Sequence, residues 1–245
     1  MKATAGRASY LVAAYAMGVE GAPPLAFRGV DLRENPDHPA HRFELTVEYG
    51  AVVLCIGDED SGVGDLGGWS MGFGHPPAGS VLAFGSSIAD LPYDRQLLFR
   101  RRLGYTQVGE GLLQNLTLRG NIVLPLAYAT DHRSRVVTDH AEWLVDAFGL
   151  KDAEYLRPAQ ANEEDRRRAA VARAVALDPE LLVLEAPFDG LTGRAARDIL
   201  DRARVRRDGT PRTVFITAQD ATPAVQPLIT RTIRLADGLA IEDRL

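Results

Sequence analysis

The chain has 245 residues, 46% hydrophobic and 25% charged, with 28 basic against 33 acidic side chains for a formal charge of −5. That length holds one large α/β domain or two small ones with a sizeable core, and the acidic balance argues against nucleic acid as a partner, which leaves a basic footprint. A single cysteine excludes a disulfide framework, and no apolar run reaches the about 18 residues of a membrane-spanning helix.

Residues 1–24 are expected to form an N-terminal extension or a first strand. Their apolar stretch Tyr10–Val19, behind Lys2 and Arg7, is only faintly like a signal peptide, because it holds two tyrosines and no cleavage site. After Pro23-Pro24, Leu25–Leu32 reads as a strand, and a proline-rich turn over Glu34–His41 leads to Phe43–Glu48, whose alternation predicts a strand with one buried face. Ala51–Ile56 is apolar at every residue, as in a parallel strand covered on both sides, and Cys55 within it reads as a buried, inert thiol.

Gly57 breaks that strand into the loop on which the functional reading turns. Gly57 and Gly62 have the spacing of the phosphate-binding pattern G-x-x-x-x-G-K-[ST]. Val63 stands where that pattern needs its lysine and Gly64 where it needs the magnesium-binding hydroxyl. Asp58, Glu59, Asp60 and Asp65 crowd a loop whose usual guest carries about four negative charges. Two like charges about 4 Å apart repel by about 1 kcal/mol in water and about 4 kcal/mol at an effective dielectric near 20. The common calcium-loop pattern does not fit either, since Gly62 falls on its third ligand and Val63 on its glycine. No metal site is assigned.

The helix expected after this loop, Asp65–Gly74, contains Gly67, Gly68, Gly72 and Gly74, each interior glycine costing about 1 kcal/mol relative to alanine, so it is expected to be short or irregular. Ser80–Phe84 reads as a strand, Tyr93–Arg102 as a short amphipathic helix and Leu103–Gln107 as a return to the sheet. From Val108 to about Asn162 helical patterns dominate, with Ala141, Leu144, Val145 and Phe148 on one face, which reads as an inserted helical subdomain. Glu163–Ala176 is a strong helix, Leu181–Glu185 a buried strand, the segment from Gly193 a surface helix and Arg212–Thr217 a third core strand. The chain closes with a hairpin turning at Asp237-Gly238. The arginine groups Arg100–Arg102, Arg166–Arg168 and Arg202, Arg204, Arg206, Arg207 read as solvated helix faces paired with acids, and His132 and His140 show no metal-ligand spacing.

In their order these blocks resemble the ATPase subunit of ABC transporters from about Leu25 onward. The stretch RPAQANEEDRRRAAVARAVALDPELLVLEAPFDGL, Arg157–Leu191, looks like the family's signature helix followed by its Walker B strand and turn, and Gln107 in LGYTQ looks like the Q-loop glutamine. RRRAAVARAVALDPELL and the phenylalanine of APFDGL are most similar to the subgroup serving phospholipid transport with MCE-type (Mla) permeases, with lipid and lipoprotein exporters close behind. The resemblance implies a RecA-like parallel sheet with an antiparallel edge and an inserted helical subdomain at about 108–162, within one ABC-type ATPase domain over 25–245. It also implies work at the cytoplasmic face of a membrane beside a permease subunit or another ABC ATPase, in which a dimer is compatible.

Several positions depart from the family's pattern. The resemblance implies lysine at Val63, serine or threonine at Gly64, glycine at Asp60, a magnesium-organising aspartate at Glu185 and the water-polarising glutamate at Ala186. Ala161, Asn162, Glu163 and Glu164 occupy the LSGG signature, Thr192 the D-loop aspartate and Ala218 the switch histidine, while no aromatic lies between Phe27 and Phe43 to stack on adenine. Gln107 and Ser61 still match. Asn162 followed by Glu163, Glu164 and Asp165 is a good helix start, because carboxylates favour the positive helix end. Both helix ends that would hold phosphate are therefore expected to be compensated by the chain's own carboxylates. The resulting expectation is a cassette subunit with a degenerate nucleotide site and no hydrolysis, acting as a structural or regulatory partner of a membrane transport complex, for which the subgroup resemblance implies a lipid cargo. A divergent but active Mg-ATP-dependent ATPase and a soluble pseudo-ATPase binding module are the alternatives.

Overall fold

The computed structural model describes residues 18–32, 42–129, 135–237 and 239–244. Strands β1 (Leu25–Asp31), β2 (Arg42–Val47) and β4 (Ser80–Ala83) form an antiparallel sheet in the order β2-β1-β4. Strands β3 (Val52–Ile56), β5 (Leu103–Thr106), β6 (Leu181–Glu185), β7 (Thr213–Ala218), β8 (Arg231–Ala236) and β9 (Leu239–Arg244) form a second sheet in the order β5-β6-β7-β3-β8-β9. Its pairs are parallel up to β8, and β9 closes the edge antiparallel. The helices are α1 (Val63–Ser70), α2 (Tyr93–Phe99), α3 (Leu118–Ala129), α4 (Arg135–Ala147), α5 (Glu163–Ala174) and α6 (Gly193–Ala203).

The uniformly apolar strands are buried because the large sheet is covered on both sides. Successive residues of a strand point to opposite faces, and here they feed two separate cores. Leu54, Ile56, Leu184 and Ile216 pack with Leu118, Ile122, Leu144 and Phe148 from the helices. Val53, Cys55, Val183 and Phe215 pack with Phe27, Phe43 and Leu45 of the antiparallel sheet and Leu66 of α1. Phe27 joins the two sheets, its ring 5.4 Å from that of Phe43 and 5.5 Å from that of Phe215. The face predicted for 141–148 is the buried one.

Residues 18–24 contain no strand, and the amide of Val19 donates to the carbonyl of Phe84 at 2.9 Å. The remainder of the expected N-terminal piece, the turn over Glu34–His41, His132 and Gly238 lie outside the described residues. Two of the arginine groups read as solvated faces are not so. Arg102 is 8% exposed, its guanidinium 3.6 Å from the centre of the Phe84 ring and 2.6 Å from Glu180. Arg166, Arg167 and Arg168 are half-buried and tie α5 to distant loops. An arginine stem is long enough to lie along apolar surface while its head finds a remote acceptor, and helical spacing cannot reveal that acceptor.

Candidate functional site

Strands β5, β6, β7 and β3 are parallel neighbours, so their carboxyl ends lie side by side. Gln107, Ala186, Ala218 and Gly57, each at or just beyond such an end, are brought to one edge of the sheet. Ile56 is in register with Ala218 and Glu185 with Thr217. That edge is where open α/β sheets bind ligands, and the sequence-predicted residues of the phosphate loop, Walker B position and switch position converge there.

The loop is closed on itself. Ser61 is fully buried; its hydroxyl donates to the carbonyl of Asp58 at 2.6 Å and accepts the amide of Val63 at 3.2 Å. The Ser61 amide also donates to Asp58, the Gly57 amide to Ala218 and the Asp65 amide to Gly62. Gly57 must be glycine, because a Cβ there would lie 2.3 Å from the Ser61 hydroxyl. Gly62, at φ 81°, is the N-cap of α1, and its missing Cβ leaves room for the Leu32 carbonyl. Helix α1 spans 8 residues, the short element that its glycines predict.

Asp58, Glu59, Asp60 and Asp65 are exposed, and no side chain caps either the turn Glu59–Ser61 or α1. The expected compensation of this helix end by carboxylates is therefore corrected. The amides of Gly57, Ser61, Val63 and Asp65 are satisfied by the Ser61 hydroxyl and by backbone carbonyls.

Glu185 is buried, 8% exposed, and turned toward α1. Its Oε1 would lie 2.2 Å from a Cβ at Gly67, so the missing side chain of Gly67 is the space that the carboxylate fills. The Tyr105 hydroxyl and, at 3.4 Å, the Val108 amide bond to it. Burial pushes the Glu185 carboxyl above the usual glutamate range, against the lowering effect of those bonds, and Asp65 adds to the rise. Burial, together with Glu185, drives the Tyr105 hydroxyl well above the ordinary tyrosine range. Ala186, at φ 44°, donates its amide to Thr217 at 2.8 Å. Among the described residues no group of three or more His, Cys, Asp or Glu could hold a metal ion.

Gln107 is exposed and folds back over Gly111, whose missing Cβ would lie 3.0 Å from its Nε2. The segment after it is strapped to α5. Glu110, at φ 67°, accepts Arg166 at 3.3 Å and faces Arg167 at 3.6 Å. Arg173 donates to the carbonyls of Gly111 at 2.7 Å and Glu110 at 3.0 Å, and Arg167 reaches the carbonyl of Ala186 at 3.3 Å. Sequence reading missed Glu110 and Tyr105; contacts spanning 56 residues or more leave no periodic signal.

At the start of α5, Asn162 is the N-cap, accepting the Asp165 amide at 2.8 Å and donating to the Asp165 carboxylate at 2.8 Å. Glu163 lies 3.9 Å from Arg167 and Glu164 2.7 Å from Arg168, so these acids face arginines one turn on. Ala161 is buried beside them. Thr192 is the N-cap of α6, its hydroxyl accepting the Ala195 amide at 3.3 Å.

No protein-family model matches the chain. It is similar to the macrolide export ATP-binding/permease protein MacB of Rhodopirellula baltica, 29% identical over 201 residues, 81% of this chain and 29% of that protein. The nitrate import ATP-binding protein NrtD of Synechococcus elongatus is 29% identical over 201 residues, 80% of this chain and 69% of that protein. The chain thus spans about three tenths of the length of the MacB relatives that it matches. Among solved structures, the dimeric post-hydrolysis state of the ATP-binding cassette MJ0796 bound to ADP and Pi superimposes with a TM-score of 0.77 at 21% identity, covering 90% of this chain and 97% of that one. The cbiO1 structure from Clostridium perfringens, part of the ABC transporter complex cbiONQ, gives 0.73 at 14% identity, covering 91% and 88%. The strand order, the loop after β3 and the sequence similarity agree: this chain has the ABC ATPase fold and is related to the ATP-binding subunits of ABC transporters.

Proposed function

We propose that the chain is a cassette subunit that has given up ATP hydrolysis and acts as a structural or regulatory partner in a membrane transport complex. The observation that carries this reading is the closed loop. The amides of Ser61, Val63 and Asp65 are bonded within it, and a phosphate gains from such a loop only the amides that are still free to point at it.

The residues present do not fit Mg-ATP. Val63 supplies no cation and is itself 5% exposed, Gly64 supplies no hydroxyl, and four exposed carboxylates repel the incoming phosphates. Glu185, at the position that would organise magnesium, is held by Tyr105 and Val108 against Gly67. With Ala186 and Ala218 at the positions of the base and switch histidine, no side chain there can take a proton from water. The partner is a permease subunit or a second cassette subunit at the cytoplasmic face of a membrane, a reading supported by the printed functions of the relatives, which are ATP-binding proteins of import and export systems. Those functions span macrolide, nitrate and sulfate or thiosulfate, so a lipid cargo rests on the resemblance of Arg166–Leu182 and Phe188 to the MCE-associated subgroup.

Calorimetric titration with ATP, with and without magnesium, tests the reading. The expected result is no saturation below about 1 mM; binding near about 1 μM, or phosphate release by the purified chain, overturns it in favour of a divergent ATPase. The triple change Asp60→Gly, Val63→Lys and Gly64→Ser is expected to restore nucleotide binding without turnover. Co-purification from membranes distinguishes a transporter subunit from a freestanding binding module.

A further inference from the structure

The amino ends of β6 and β7 carry a second feature, at the opposite end of the sheet from the phosphate loop. A cavity of about 150 Å³ opens there between α4 and the segment that joins α6 to β7. One wall is aromatic. His140 is 8% exposed, its Nε2 2.9 Å from the Ala176 carbonyl, and its ring stacks on Trp143 with centroids 5.6 Å apart and planes 10° from parallel. Burial, and then the nearby Arg207, hold His140 toward its neutral form, while the Ala176 bond and Asp178 oppose them. Trp143 is 45% exposed, so its ring presents apolar surface at the mouth of the cavity. Phe148 continues the apolar lining.

The facing wall is basic, although the chain as a whole is acidic. Arg212 is structural: it is 3% exposed and its donors are spent on the Pro179, Ala203 and Val205 carbonyls and on Asp178. Arg206 shares Asp178 at 3.4 Å, and Arg202 is held by Asp198 at 3.0 Å and by the Ala147 carbonyl. Arg207 is exposed, lines the same cavity and has no ion pair among the described residues. Asp178 is the one acid of the lining, already shared between Arg206 and Arg212. The lining therefore keeps an excess of positive charge beside an aromatic platform.

We propose that this cavity binds a small apolar monocarboxylate, its ring or short branched body against Trp143 and His140 and its carboxylate at Arg207. The volume selects the body, because a cavity of about 150 Å³ takes a benzene-sized group. The charge selects the head, because planar guanidinium groups match a carboxylate edge. An inorganic anion would leave the aromatic wall uncovered, and a neutral ring would leave Arg207 unanswered.

Titration of the full chain with benzoate, followed by calorimetry and by fluorescence in a Trp69→Phe background, tests the proposal. Benzoate is expected to saturate with a dissociation constant of about 1 mM or below. Benzamide and inorganic phosphate are each expected to bind at least about tenfold more weakly, since each lacks one half of the match. Arg207→Gln and Trp143→Ala, both at exposed positions, are each expected to weaken benzoate by about tenfold or more with unchanged urea unfolding. Absence of saturation, equal binding of benzamide or phosphate, or unaltered benzoate binding by either variant overturns the proposal. None of these outcomes bears on the nucleotide question, which concerns the other end of the sheet.

Discussion

Gly67→Ala separates two opposing effects at the heart of the nucleotide-site reading. In a helix interior the change stabilises by about 1 kcal/mol through backbone propensity alone. At this position the new methyl would lie 2.2 Å from Oε1, 2.7 Å from Cγ and 2.8 Å from Cδ of Glu185. None of these distances is tolerable, so Glu185 must move and forfeit the bonds from Tyr105 and Val108. Hydrogen bonds to a charged group are worth about 1.5–3 kcal/mol each and neutral ones about 1 kcal/mol. The net effect is a loss of about 1–3 kcal/mol. In a Glu185→Ala background the obstruction is gone, and the same substitution is expected to stabilise by about 1 kcal/mol. The coupling in a double-mutant cycle is therefore about 2–4 kcal/mol, read from urea unfolding of the wild type, the two single variants and the double variant by linear extrapolation. A Gly67→Ala variant that is stabilised equally in both backgrounds would refute the placement of the carboxylate against α1. The account of why Glu185 is withheld from magnesium would fall with it.

Two further outcomes follow from the same geometry. Glu110→Ala leaves Arg166 and Arg167 without their shared acid; a loss of about 1–3 kcal/mol is expected, with faster amide exchange across 107–113, and unchanged exchange there would show that the strap to α5 is inert. Glu185→Gln removes a carboxyl whose pKa folding raises, chiefly through burial. A raised carboxyl contributes stability that is fully present below the ordinary glutamate value and is lost as pH rises through the folded value. The melting temperature of Glu185→Gln relative to wild type is therefore expected to be higher at about pH 8 than at about pH 4, and a pH-independent difference would contradict the burial.

The local patterns in the chain already determined its architecture. β3 is apolar at every residue and β6 at every residue but its last, Glu185, because both faces of a parallel strand are covered, and that composition is visible without coordinates. Glycine crowding shortens α1, and Asn162 with three acids after it starts α5, because propensity and capping act over a few residues. The same locality explains why the residues lost from the nucleotide site, Val63, Gly64, Ala186 and Ala218, could be named from the chain.

What filled the vacated space was decided only by tertiary structure. The acids of the loop were expected to compensate its helix end, yet no side chain caps it, the amides of Gly57, Ser61, Val63 and Asp65 are met by Ser61 and backbone carbonyls, and the acids are exposed. Glu185 leans on Gly67 across 118 positions of sequence only because β6 passes beneath α1. Arg166, Arg167 and Arg173 meet Glu110 and Gly111 through contacts more than 50 residues long, and the cavity beside Trp143 needs α4, α6 and the segment between α6 and β7 to be brought together. Hydrophobic periodicity records which face of an element is buried, whereas the direction of a polar side chain is set by whichever distant donor the fold happens to bring within 3 Å.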